Sequence, residues 1–163
     1  MTDDPVPPPA DEPDARDAEV AEAAEGVEAT ADDGHESAYE LLQRGQGLLG
    51  ERHHAQAAVV LERAARLEPG KASILEALGR AYFNSGQHDR ARETFEALLE
   101  IDPSSHYAQF ALGQSLKKLG REREAWVHLR LAVALSPGTP LYRQALARVP
   151  DPKAAEEDDS ATG

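Results

Sequence analysis

The sequence contains no cysteine, and it has few aromatic residues and no long apolar run. Without cysteine there is neither a disulfide framework nor a thiolate metal site. No apolar run approaches the roughly 20 residues of a membrane helix. The opening residues MTDDP lack the basic region and apolar core of a secretory signal. We therefore expect a cytoplasmic protein without a membrane partner. Thirteen arginines against four lysines, together with abundant alanine, are typical of GC-rich bacterial genomes.

Charge is distributed unevenly along the chain, whose formal net charge is −13. Residues 1–36 hold thirteen acidic residues and one basic residue, whereas 149–163 hold five acidic residues and one basic residue. The region between them has a net charge of +3, and its basic residues alternate with acidic ones. Because both termini would repel phosphate, we expect no nucleic-acid partner. Their composition predicts disordered acidic tails at 1–36, which is rich in Pro, Ala and Glu, and at 150–163.

Catalytic and metal-binding constellations are missing from the sequence. His53 and His54 are adjacent, so on a helix they would point about 100° apart, and no acidic or cysteine partner completes a zinc-binding spacing. No nucleophile has a neighbouring base, and no glycine-rich phosphate loop follows a strand. We therefore predict no catalytic residue, no metal, no cofactor and no enzymatic activity.

An internal period of 34 residues organises the middle of the chain. It is the length of a helix-turn-helix repeat, and it brings a small residue, a large apolar residue and a helix-stopping proline back to fixed positions. If the repeats begin at Ala38, Ala72 and His106, repeat positions 8, 20, 24 and 32 are occupied in turn by Gly45, Gly79 and Gly113; Ala57, Ala91 and Ala125; Leu61, Phe95 and Leu129; and Pro69, Pro103 and Pro137. We predict that these residues pack the repeats together.

Residues 38–148 resemble the tetratricopeptide repeat (TPR) family. The second repeat is the most similar, with Leu78-Gly79, Tyr82, Ala91, Phe95 and Pro103 at the family's positions. Departures occur at position 4, which is not aromatic in any repeat. The resemblance implies an all-α, right-handed superhelical solenoid at 37–149. Its parts would be three helix-turn-helix repeats, at 38–71, 72–105 and 106–139, and a C-terminal capping helix at 140–149.

Capping signals and breaks locate the individual helices. Ser37 and Glu40 form a capping box before the first helix, and Thr139-Pro140 is a cap followed by proline at the first helical position. We predict helices at 38–49, 54–67, 72–85, 88–101, 105–119 and 122–135, followed by the capping helix.

The resemblance also implies a partner-binding groove on the concave side, lined by the first helix of each repeat. The residues at its lining positions are Tyr39, Leu42, Gln46, Leu49, Glu76, Arg80, Phe83, Asn84, Tyr107, Phe110, Gln114 and Lys117. Amide side chains there would bind a partner's backbone, and Arg80 or Lys117 would bind an acidic group. For Phe83 and Phe110, packing in the core is an equal alternative.

From these features we expect a non-catalytic protein-interaction module, an adaptor that binds a peptide or helix of another protein. Two alternatives remain open at this point: a self-associating scaffold, with Tyr39, Phe110 or Trp126 as contacts, and an accessory subunit that positions a separate enzyme. Family members that bind the acidic C-terminus of a chaperone use a clamp of basic and amide side chains. The corresponding residues here supply no cation: Leu42, Gln46, Ala77, Tyr107 and Ala111.

Overall fold

The computed structural model describes residues 35–161, so the predicted acidic tail at 1–36 lies almost entirely outside the described residues. Within that range the chain forms eight helices. In chain order they are α1 (Ala38–Gly50), α2 (His54–Leu67), α3 (Ala72–Asn84), α4 (His88–Ile101), α5 (His106–Lys118), α6 (Glu122–Leu135), α7 (Pro140–Ala147) and α8 (Pro152–Ser160). Among these helices, none combines the length and apolar character that a bilayer crossing demands.

The predicted all-helical fold is confirmed, and α1 to α6 begin and end within one residue of the predicted bounds. The capping box forms as expected at the start of α1. The Ser37 hydroxyl accepts a hydrogen bond from the Glu40 backbone N–H at 3.2 Å, and the Glu40 carboxylate accepts one from the Ser37 N–H at 2.6 Å. Two otherwise orphaned amide groups are thereby satisfied, which fixes where the helix starts.

The chain divides into two compact units at Ser85–Gly86. In unit 1, α2 packs against both α1 and α3, and α1 contacts α3. Its core is built on Leu41, Leu61 and Ile74, each at most 1% exposed. A Cβ atom added at Gly45 would lie 2.5 Å from Leu61, so the absence of a side chain at Gly45 allows α1 to approach α2 closely.

In unit 2, α5 packs against both α4 and α6, and α7 packs against α6 at the end of the unit. Leu129 on α6 packs against Gly113 on α5, where an added Cβ atom would come within 2.7 Å of the leucine. The ring of Tyr142 on α7 stacks on Phe110 with centroids 4.8 Å apart, and its hydroxyl lies 2.9 Å from His106 Nδ1. Helix α7 therefore closes the core of this unit, as a capping helix should.

Left-handed backbone recurs at position 15 of each repeat, in the turn between its two helices. The three residues are Arg52 (φ 66°), Gly86 (φ 82°) and Gly120 (φ 76°). Glycine adopts this conformation freely, whereas a side chain makes it costly. The first repeat therefore carries a strained arginine where the other two have glycine.

The C-terminal region differs from the prediction, because a helix, α8, stands where we expected disorder at 150–163. Asp151 caps it by accepting a hydrogen bond from the Lys153 N–H at 2.9 Å, and Pro152 occupies the first turn. Alanine and glutamate then favour helix. None of its residues is buried, and the contact between Glu156 and Arg123 at 3.5 Å joins two exposed side chains.

Candidate partner-binding surface

The first helices of the three repeats are α1 and α3 in unit 1 and α5 in unit 2, and we call them the inner helices because the resemblance predicts that they line the groove. They carry all twelve predicted groove residues. We describe the two units separately, as the unit 1 surface and the unit 2 surface. On the unit 1 surface, Tyr39 is 62% exposed, while Gln46, Glu76, Arg80 and Asn84 are half-buried. These five are the predicted groove residues whose side chains reach the surface of unit 1.

Two buried polar atoms on α3 lack hydrogen-bond partners within the described chain. They are Nε of Arg80 and Oδ1 of Asn84, which lie one helical turn apart. A buried polar group without a partner is costly, and in native proteins such groups are rare. The pair offers a cation and donor from Arg80 next to an acceptor from Asn84. Both residues are half-buried, so the rest of each side chain still reaches the surface of unit 1.

The apolar members of the unit 1 set do not lie at the surface. Leu42, Leu49 and Phe83 are 6%, 7% and 3% exposed. All three are buried, so our expectation that Leu42 and Leu49 line a groove is wrong. For Phe83, where the sequence left groove and core open, the structure favours the core.

The aromatic residues of the unit 2 set are buried as well. Tyr107 is 6% exposed and meets Phe95 edge-on with centroids 6.3 Å apart, and Phe110 is fully buried beneath Tyr142. We expected Tyr107 to line the groove, and this was wrong because the neighbouring helices α4 and α7 supply rings that enclose these side chains. The aromatic groove predicted from the sequence is therefore absent from unit 2 as described.

What remains on the unit 2 surface is polar. Gln114 and Lys117, three residues apart on α5, are half-buried. Neither side chain makes a hydrogen bond or ion pair with any residue from 35 to 161. Both are therefore available for recognition, an amide for backbone groups and an ammonium for an acidic one.

The histidines show no sign of a metal site. Burial lowers the pKa of His54, and the nearby charges of Arg52 and Arg80 lower it further. Burial also lowers the pKa of His128, against the opposing effect of Glu124 and Glu96. Across residues 35–161, no three side chains of the metal-ligating types lie together. Burial therefore favours the neutral form of both histidines.

Sequence reasoning missed an exposed apolar pattern on the second helices of the first and third repeats. On α2, Val59 and Leu67 are 61% and 57% exposed, and on α6, Val127 and Leu135 are 47% and 44% exposed. They occupy repeat positions 22 and 30 in both cases, so aligning the repeats could have revealed the pattern. Trp126, which we named above as a possible contact of a self-associating scaffold, is half-buried with the Arg130 guanidinium 5.1 Å from its ring centre.

Comparison with known proteins finds similarity to one family. A family model described as tetratricopeptide repeat matches residues 48–112. Superkiller complex protein 3 of Mus musculus is 32% identical over 94 residues, which are 58% of this chain and 6% of that protein. The chain therefore matches a small part of that much longer relative.

Solved structures agree at the level of the fold. YrrB, a TPR protein with an unusual peptide-binding site, matches with a TM-score of 0.69 and 23% identity, over 80% of this chain and 66% of that one. The first TPR of Spaghetti (RPAP3), bound to the HSP90 peptide SRMEEVD, matches with a TM-score of 0.66 and 16% identity, over 69% and 89%. At these identities the likeness concerns the fold alone.

Proposed function

We propose that this chain, whose helices are similar to tetratricopeptide repeats, is a non-catalytic interaction module that binds a segment of a partner protein through its inner helices. The observation that carries the proposal is the pair of half-buried polar side chains on the unit 1 surface, Arg80 and Asn84, each with a polar atom that has no hydrogen-bond partner within the described chain. Similar structures support it, since Spaghetti holds a peptide and YrrB has a peptide-binding site.

The chemistry of the surface defines the ligand class. Arg80 suits a carboxylate, Asn84 and Gln46 suit backbone groups, and the exposed ring of Tyr39 suits an apolar side chain. We therefore propose a peptide segment with an acidic residue flanked by apolar ones. We do not propose a ligand like the HSP90 peptide bound by Spaghetti. Family members that bind the acidic C-terminus of a chaperone use a clamp of basic side chains, and the corresponding residues of this chain carry no cation.

The proposal can be tested by selecting peptides from a random display library with the full chain. Selected sequences should share an acidic residue with apolar neighbours. Arg80→Gln combined with Asn84→Ala should weaken their binding by about tenfold or more, since charge-assisted hydrogen bonds contribute about 1.5–3 kcal/mol.

The matched control is Arg90→Gln, which removes the same charge from an exposed arginine on α4. It should leave peptide affinity unchanged. If Arg80→Gln with Asn84→Ala bound the selected peptides as tightly as the parent while remaining helical, recognition would not occur on the unit 1 surface.

Self-association is the second candidate. The observation in its favour is the stripe on α6 formed by Val127, Leu131 and Leu135, which are 47%, 42% and 44% exposed and spaced at four residues. A second copy that packed on this stripe would double the solution mass. Sedimentation equilibrium of the parent beside Leu131→Ser decides the matter, because a dimer held by the stripe should dissociate in the variant.

A further inference from the structure

The outer face of α2 carries an exposed stripe that the proposed function does not use. Val59, Arg63 and Leu67 are spaced at four residues and are all exposed, so they lie in one row along the helix. The opposite face of α2 holds the buried Ala57, Leu61 and Ala64. We refer to Val59, Arg63 and Leu67, with the adjacent exposed Arg66, as the α2 stripe.

The α2 stripe is positively charged as well as apolar. Its charged members are two arginines, Arg63 and Arg66. Glu62 is the one acidic residue in the sequence of α2, and it is half-buried and accepts a hydrogen bond from the Tyr82 hydroxyl at 2.8 Å. The Glu62 carboxylate is therefore engaged with α3, and Arg63 is paired with Glu36 instead.

The chain reaches unit 1 at this same stripe. Glu36, at the beginning of the described residues, pairs with Arg63 at 3.5 Å and with Arg44 on α1. These contacts place the last residue before the capping box against the middle of the stripe. The segment that precedes it is thus tethered next to Val59 and Leu67.

The composition of residues 1–34 complements the stripe. This segment contains twelve acidic residues and one basic residue, and its large apolar residues are Met1, Val6, Val20 and Val27. Glu36 lies nine positions after Val27, enough chain to span about 30 Å. The stripe from Val59 to Leu67 is only about 12 Å long. The chain before Glu36 is therefore long enough to contact the whole stripe. A short tether also gives effective concentrations in the millimolar range.

We propose that residues 1–34 dock on the α2 stripe of their own chain, with acidic side chains on Arg63 and Arg66 and with valines against Val59 and Leu67. The segment would then cover an exposed apolar face and withhold it from other acidic partners. Docking on α2 and peptide binding on the inner helices involve different helices, so a test of one does not depend on the other.

Because the chain has no cysteine, a single Ala24→Cys substitution allows one spin label to be placed in the full chain. Paramagnetic broadening should concentrate on the amide resonances of α2 rather than on those of α6. Salt at about 1 M, where the screening length is roughly 3 Å, should remove most of the broadening. Broadening that is spread evenly over the helices, or that is strongest on α6, would overturn the proposal.

A matched pair of variants tests the stripe itself. Val59→Ser with Leu67→Ser should abolish the broadening, whereas Val127→Ser with Leu135→Ser changes the same residue types at the same repeat positions on α6 and should retain it. A mixture of spin-labelled chains with unlabelled, isotope-enriched chains identifies the occupant. Broadening in the mixture would mean that a second copy supplies the segment, and docking within one chain would be refuted.

Discussion

At the scale of single residues, two glycines of α1 have opposite roles although they are two positions apart. Gly45 is buried against Leu61, and an added Cβ atom would lie 2.5 Å from the leucine side chain. Gly47 is exposed, and an added Cβ atom would meet nothing within 4 Å. Close approach of α1 and α2 therefore depends on the first glycine and not on the second.

We predict that Gly45→Ala lowers the free energy of unfolding by about 1–3 kcal/mol, the usual cost of overpacking a core. Gly47→Ala should raise it by up to about 1 kcal/mol, because alanine has the higher helix propensity. Urea denaturation of the two variants measures both effects. Equal effects of the two substitutions would show that α1 adjusts to the extra methyl group.

Arg52 provides a second prediction, since its positive φ stands where the other repeats have glycine. Arg52→Gly should stabilise the protein by up to about 1 kcal/mol by removing the left-handed strain. Gly120→Arg, at the same position of the third repeat, should destabilise it similarly. Thermal melts of both variants check the pair, and a loss of stability in Arg52→Gly would mean that the arginine side chain makes contributions larger than its strain.

The pKa of His128 leads to a prediction about pH. Burial lowers this pKa in the folded state, against the effect of Glu124 and Glu96, and Nδ1 donates to the Gln109 side-chain oxygen at 2.7 Å. Below the ordinary histidine pKa of about 6.5, the unfolded chain takes up a proton that the folded chain resists. Stability should therefore fall as the pH drops below that value.

Unfolding by urea at several pH values between 7.5 and 5.5 measures this decline. His54, whose pKa is lowered in the same direction, should contribute to it. His128→Gln should make the decline shallower. An unchanged slope in His128→Gln would assign the decline to other groups.

At the scale of helices, α7 should be essential to unit 2. Tyr142→Ala removes the ring that stacks on Phe110, and the loss of a buried aromatic side chain costs about 3–5 kcal/mol. Tyr142→Phe keeps the ring and loses the hydroxyl contact with His106, for a cost of about 1 kcal/mol. Urea denaturation distinguishes the two, and equal losses would mean that the hydroxyl contact rather than the stacking holds α7.

Helices were also the scale at which the sequence was most informative. The 34-residue period predicted α1 to α6 because glycine, alanine and proline occupy positions where the backbone leaves few alternatives. It could not predict α8, which has no apolar face and depends on its cap and on helix propensity. It also misplaced Tyr107 and left Phe110 open between groove and core, because their burial depends on rings contributed by Phe95 and Tyr142, and a pattern within one helix does not report the residues opposite it.

At the scale of the whole molecule, the repeat architecture determines how far the effect of a destabilising substitution extends along the chain. In solenoids each repeat contacts only its neighbours, so stability is approximately a sum of local terms. The described chain fits this pattern, since its most extensive helix contacts join helices that are consecutive in sequence. A core substitution should therefore loosen the helices near it more than those far along the chain.

We predict that Gly45→Ala and Tyr142→Ala produce opposite gradients of native-state hydrogen exchange. In Gly45→Ala the amide groups of α1 and α2 should lose the most protection and those of α6 the least, whereas Tyr142→Ala should reverse this order. Each variant serves as the control for the other, because a loss of protection that is common to both reflects global unfolding. If every helix lost protection equally in both variants, the chain would unfold as a single cooperative body, and the additive description of its repeats would be wrong.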